Sequence, residues 1–137
     1  MGGILLDTVV ASVLSPFKRP GPQRVKYETA ARGHSLAISM QSLAELYLWA
    51  ESNNWGAARR QMLQTYIDNQ FTVLPCDSEL ATAWAKVMNQ SAAAGRPLQS
   101  ADAWVAATAI FYGLDLLTHD KDFAGLKISG LKIICFA

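Results

Sequence analysis

A few carboxylates in this chain stand apart from its ordinary surface charge. Asp7 is the only charged side chain before Lys18, Glu45 is the only acid or strong base between Arg32 and Glu51, and Asp102 is alone between Arg96 and Asp115. Asp120 and Asp122 follow in "THDKDF", beside Thr118. Acids in such apolar stretches either cap a helix or gather to share a proton or a cation. Two unit charges about 4 Å apart repel by ~4 kcal/mol at an effective dielectric near 20, so a gathered set must be neutralised. A shared proton is one route. A hard divalent cation, Mg²⁺ or Mn²⁺, is the other, because it prefers carboxylate oxygen and leaves room for substrate phosphate.

The elements that must position these acids are legible as alternating strands and helices. "ILLD" is a buried strand ending in Asp7, and "TVVASVL" opens a helix that Ser15-Pro16 closes. "PFKRPGPQ" is a loop, "RVKYETAARG" a helix stopped at Gly33, and "SLAIS" a second strand. A helix from about Met40 to Ser52, a second over "WGAARRQMLQTYID", a strand "FTVLP" and a helix over "DSELATAWAKVMNQSAAAG" follow. "LQSADAWVAATAIFYG" is the next helix, and "LDLLT" and "LKIICF" are the last strands. This order predicts an α/β fold, a mostly parallel central sheet between helix layers. In such sheets ligands sit beyond the carboxyl ends of the strands. Asp7, Glu45 and Asp120 all leave strand ends at that edge, and Asp102 begins a helix whose N-terminus points to it.

Each acid also has a local reading. Asp7 suits a helix cap, Ser42-x-x-Glu45 has the spacing of a capping box, Asp102 is a first-turn acid that a helix dipole favours, and Asp120 suits an Asx-turn. Capping alone leaves unexplained why all four fall at one edge in apolar surroundings.

Composition narrows the class. The 137 residues, 51% hydrophobic and 17% charged, suit a single domain over 1–137 with elements covered on both faces. Twelve basic against eleven acidic side chains give +1, so bulk charge identifies no partner. No run reaches the ~18 apolar residues of a membrane span, and no basic segment precedes the first apolar run, so the expected location is cytoplasmic. Cys76 and Cys135 are too far apart for a zinc pattern and are expected to be buried thiols. A phosphoryl-accepting receiver fold is disfavoured because "FTVLPC" places Pro75 where that chemistry needs an aspartate.

"LLDT", "SLAELY", "GRPLQSADAWVAATA" and "LLTHDKDF" resemble, in order and spacing, the acidic motifs of PIN-domain nucleases of the VapC toxin type. The resemblance implies a three-layer α/β/α PIN-like fold and a Mg²⁺- or Mn²⁺-dependent ribonuclease, commonly a homodimer, inhibited by a small antitoxin protein. Asp7, Glu45 and Asp102 match the principal acids. Asp120 aligns best with the fourth, Asp122 is the alternative, and Thr118 matches an accessory hydroxyl position. The implied chemistry is hydrolysis of an RNA phosphodiester, with Asp7, Asp102 and Asp120 holding metal and Glu45 serving the attacking water. Val9 departs from the pattern, standing where the family usually has Asn, Ser or His. A catalytically weak PIN-like module that binds RNA or protein without cutting is the alternative reading.

Beside these acids, Lys18, Arg19, Arg24 and Lys26 form a basic cluster that suits an RNA backbone, or else a solvated face. Arg59-Arg60 is expected to be plain helix surface. Most of Trp49, Trp55, Trp84 and Trp104 are expected to pack in the core, with Trp55, next to Gly56, partly exposed.

Overall fold

The computed structural model describes residues 3–136. Five strands, β1 (Gly3–Leu6), β2 (Ser35–Ser39), β3 (Thr72–Leu74), β4 (Asp115–Thr118) and β5 (Ile133–Cys135), form one sheet in the order β3-β2-β1-β4-β5. Every pairing in it is parallel. The helices are α1 (Thr8–Val13), α2 (Pro22–Ala31), α3 (Met40–Ser52), α4 (Ala57–Gln70), α5 (Ser78–Ala93) and α6 (Ser100–Tyr112), with a 3₁₀ turn at Lys121–Phe123.

Period-two alternation along the strands divides the core in two. Leu5, Ala37 and Leu116 turn to one face, where they meet Leu80, Val87, Ala103 and Ala106 of α5 and α6. Ile4, Leu6, Ile38 and Leu117 turn to the other and pack against Val10, Tyr27, Leu46, Leu63 and Ile67 of α1–α4. Both sheet faces are thus covered by helices, which explains why the strands read as continuous apolar runs. Truncating one of these fully buried leucines, such as Leu6→Ala, is expected to cost roughly 2–5 kcal/mol.

The chain starts at the sheet's centre, builds outward through β2 and β3, and then returns to place β4 on the other side of β1. The strand order therefore reverses between β1 and β4, and a crevice opens beyond their carboxyl ends. Register aligns Leu6 with Leu117, and the Asp7 amide donates to the Leu117 carbonyl at 3.0 Å. This bond fixes the residue after β1 beside the end of β4.

Element boundaries differ from the sequence reading in small ways. Helix α2 starts at Pro22 rather than Arg24, because proline's fixed φ suits the first helical turn. Helix α6 starts at Ser100, with Gln99 at its N-cap, and ends on Gly113 at φ 67°, a left-handed stop that favours glycine. The cysteines are not buried as expected. Cys76 is exposed in the connection after β3, and Cys135 is half-buried on an edge strand. No helix among the described residues is long and apolar enough to cross a membrane.

Candidate active site

Asp7 is the best anchored of the acids. It ends β1, is only 7% exposed, and caps α1 by accepting from the Val10 amide at 2.9 Å. Its second oxygen accepts from the Thr118 hydroxyl and from the His119 amide at 3.2 Å. The expected capping role and a place at the crevice therefore coexist, one oxygen serving each. Burial raises the Asp7 pKa above the usual carboxylate range; the Thr118, Val10 and His119 bonds oppose this, and the Asp120 charge adds to it.

Glu45 is freed from the capping box that its spacing suggested. Strand β2 runs into α3 without a linker, so Ser39 is the N-cap and accepts from the Ser42 amide at 3.0 Å. Glu45 lies in the second turn of α3, where its carboxylate accepts from the Thr8 hydroxyl, which also stands 3.0 Å from the Ser42 hydroxyl. Thr8 ties the residue after Asp7 to Glu45 across 37 positions of sequence. The sequence reading quoted "LLDT" without assigning Thr8 a part; the hydroxyl beside the first acid was the available signal.

Asp102 occupies the first turn of α6 and is half-buried. Among the described residues no donor hydrogen-bonds to its carboxylate and no cation pairs with it. Its pKa is pushed up to about 6, first by burial and then by the charges of Asp120, Asp122, Glu45 and Asp7. Those four neighbours come from β4's far end, the 3₁₀ turn, α3 and β1, so the acids meet in one crevice.

Asp102, Asp120 and Asp122 each offer one carboxylate oxygen within 4.8 Å of the others. Asp120 caps the 3₁₀ turn by accepting from the Asp122 amide at 2.8 Å, in the Asx manner expected, and its own amide donates to Thr118 Oγ1 at 2.9 Å. Asp120 and Asp122 both belong to the cluster. The tight trio includes Asp122 and leaves out Asp7. Oxygens bound to one octahedral Mg²⁺ at about 2.0–2.1 Å lie about 2.9 Å apart when adjacent and about 4.1 Å when opposite, so the trio would have to draw together to share one. The donors are all carboxylate oxygen, with no thiol or imidazole, which suits a hard divalent cation.

Tyr27 of α2 also reaches this region and was missed by the sequence reading. It is fully buried, packs edge-on to His119 with ring centres 6.0 Å apart, and its pKa is pushed up to about 12 by burial and by the Asp7 charge. Its hydroxyl is buried, and Gln23 is the polar side chain that approaches it. Val9, beside Asp7 and Thr8, is 48% exposed and adds no polar group to the rim.

The basic cluster divides. Arg24 is engaged inside the fold, donating to the carbonyls of Leu14 at 2.7 Å, Ser15 at 3.1 Å and Lys18 at 3.1 Å, and pairing with Glu28 at 3.1 Å. Lys18, Arg19 and Lys26 are exposed. A cavity of about 800 Å³ lies between α2 and α4 and is lined by none of the five acids.

A parallel α/β sheet with acids gathered beyond the switch between β1 and β4 defines a class of proteins, and comparison with known ones specifies it. The PIN domain family matches residues 4–128. Ribonuclease VapC4 of Mycobacterium tuberculosis is 32% identical over 95 residues, covering 69% of this chain and 73% of the relative. Ribonuclease VapC1 of Rickettsia felis is 30% identical over 135 residues, covering 96% and 95%. The chain belongs to the PIN domain family, among relatives that are VapC ribonucleases. The fold also matches the VapBC-5 toxin–antitoxin system of Mycobacterium tuberculosis, with TM-score 0.71 and 25% identity over 98% of this chain and 99% of that one. It matches DNA-bound VapBC of Salmonella typhimurium in fold, with TM-score 0.73 and 22% identity over the whole of both chains.

Proposed function

We propose that the protein is a divalent-cation-dependent endoribonuclease and the toxin of a VapBC-type toxin–antitoxin pair. The observation that carries this reading is Asp102: a half-buried carboxylate without a donor, pushed to about pKa 6 amid four other acids. Such a site costs folding free energy when empty of counter-charge and gains it from a cation.

In this reading Asp102 and Asp120 would hold Mg²⁺ or Mn²⁺ together with Asp7, through oxygen lone pairs that the Val10, Thr118 and His119 donors leave free, and Asp122 would complete the set. When bound, the cation lowers the pKa of water and offsets charge on the transferring phosphoryl group. Glu45, oriented by Thr8, takes a proton from the water that attacks phosphorus, and the P–O bond to the departing ribose oxygen breaks as the new one forms. Thr118 keeps the Asp7 carboxylate turned toward the crevice. Lys18, Arg19 and Lys26 meet phosphates of the RNA outside it. Arg24 serves the fold instead.

The relatives' assembly with antitoxins supports a small antitoxin protein as partner. Apolar side chains left exposed on α3, Met40, Tyr47 and Leu48, support a second copy of the chain. We place the protein in the cytoplasm, as one PIN-like domain over 1–137.

The test is incubation of the purified chain with structured RNA and Mn²⁺ or Mg²⁺. Scission that EDTA stops and that Asp102→Asn removes supports the enzyme. Undiminished cleavage by Asp102→Asn defeats the assignment of the site, and tight RNA binding without scission by the unaltered chain favours the non-cutting module.

A further inference from the structure

One turn beyond Glu45 on α3, Trp49 shares the same helix face, and around it the chain builds an aromatic cluster that the cleavage chemistry does not use. Phe17, just past α1, stands edge-on to Trp49 at 5.9 Å and lies 4.5 Å from Trp55, and the two tryptophans are 4.9 Å apart. All three rings are half-buried, seated against the α1–α4 core. Lys18 Nζ sits 5.2 Å above Trp49, and the Arg59 guanidinium 5.3 Å from Trp55. The support is fixed. The Trp55 amide donates to the Ala50 carbonyl at 3.0 Å, and Arg60 donates to the Trp55 carbonyl at 2.7 Å while pairing with Glu51.

Glu51 is thus occupied by Arg60, and among the described residues no acid pairs with Lys18 or Arg59. Two uncompensated cations therefore cover two indoles beside the acid crevice. We propose that Phe17, Trp49 and Trp55, with Lys18 and Arg59, form a base-stacking subsite for single-stranded RNA that flanks the cleavage site on its Glu45 side. The proposal rests on the ribonuclease reading above.

Energetics and spacing agree with it. A base stacked on an aromatic side chain is held more strongly than a single cation over a ring at a solvent-exposed site. Swinging Lys18 and Arg59 from ring to phosphate while a base takes the indole therefore improves both contacts. Four residues of helix separate Glu45 from Trp49 by about 6 Å, which is one to two nucleotides at about 3.4 Å per stacked step. The segment from Thr8 to Phe17 touches α3 at Glu45 and again at Trp49, which sets the crevice and the cluster along one side of α3.

The test uses the full chain carrying Asp102→Asn, in EDTA, with a short single-stranded oligoadenylate as probe and intrinsic tryptophan fluorescence as readout. Saturable quenching is expected, with Trp55→Ala weakening binding by roughly five- to a hundred-fold and Trp55→Phe restoring most of it. The double variant Lys18→Gln, Arg59→Gln is expected to lower the slope of log affinity against log salt by about 1.4, at about 0.7 per phosphate contact of a single strand. If Trp55→Ala does not fold, as judged by circular dichroism, Trp55→Leu, which keeps apolar packing and removes the stacking face, takes its place with the same expected loss. Absence of quenching, or unchanged affinity in Trp55→Ala whatever the salt slope, overturns the subsite even if the unaltered chain cleaves RNA. Quenching that Trp55→Ala abolishes, in a chain that cleaves nothing with Mn²⁺, keeps the subsite and overturns the ribonuclease reading.

Discussion

The two ends of the acid crevice are built on opposite principles. At the β1 end Asp7 is buried and each of its oxygens is already hydrogen-bonded, to Val10 on one side and to Thr118 and His119 on the other. At the α6 end Asp102 is half-buried, has no donor among the described residues, and faces Asp120 and Asp122 with oxygens within 4.8 Å. Burial raises the pKa of both, yet only at Asp7 do protein donors push back. The contrast shows how a fold tolerates such a site. One carboxylate is fixed as part of the scaffold, and the unmet electrostatic demand is left at the other end, where a cation can satisfy it.

The sharpest way to break the comparison is to neutralise each end in turn. Both Asp7→Ala and Asp102→Asn are expected to lower cation-dependent cleavage by at least 100-fold, on the scale of a lost acid–base or ligand group. Their stabilities should move apart. Asp7→Ala loses a helix cap and leaves the Thr118 hydroxyl without an acceptor, costing roughly 2–4 kcal/mol, while Asp102→Asn relieves repulsion and raises the melting temperature of cation-free protein. Thermal unfolding in EDTA measures both, and a fall of equal size in the two variants refutes the distinction.

Thr8 links the scaffold end to Glu45. Thr8→Val is expected to reduce cleavage by about 10–100-fold, the usual cost of an outer partner to a site residue, with the far-UV circular dichroism spectrum unchanged. Full activity in this variant removes Thr8 from the account.

The pH dependence follows from the raised Asp102 pKa. Its folded value of about 6 exceeds the ordinary 3.8, so between about pH 4 and pH 6 the folded chain binds more protons than the unfolded one. Stability of cation-free protein therefore falls as pH rises through that window. Asp102→Asn should flatten this part of the profile, and cation affinity of the unaltered chain should rise over the same range as protons stop competing. A cation-free profile that rises from pH 4 to pH 6 contradicts the assignment.

The smallest effect is expected at Val9. Val9→Asn should change stability by less than about 0.5 kcal/mol, since the position is exposed. It restores a polar group beside Asp7 and is expected to raise cleavage severalfold, as initial rates would show.

How far the site was legible depended on whether a contact is local or distant. Strand ends, helix starts and the edge they share followed from hydrophobic period and element order, so Asp7, Glu45, Asp102 and Asp120 were readable as candidates. The Asx-turn at Asp120 and the cap at Asp7 were readable because their partners lie two and three residues away. The capping box at Ser42 and Glu45 misled, because spacing alone does not show where β2 stops, and Ser39 took the cap. Arg24 looked like one of four surface cations until its carbonyl partners at Leu14, Ser15 and Lys18 were seen. Tyr27 gave no signal, since an aromatic at a helical core position is the commonest kind of residue to find there.

The succession of strands and helices and the solitude of each acid in an apolar run can be read along the chain, because period and local charge are properties of neighbouring residues. Which oxygen of each carboxylate is occupied, the meeting of Asp122 with Asp102, and the pairing of Trp49 with Trp55 beneath Lys18 and Arg59 came from the folded arrangement. These depend on packing across distances such as the 111 positions between Asp7 and Thr118, where the sheet order and the depth of burial, not the local pattern, set who meets whom.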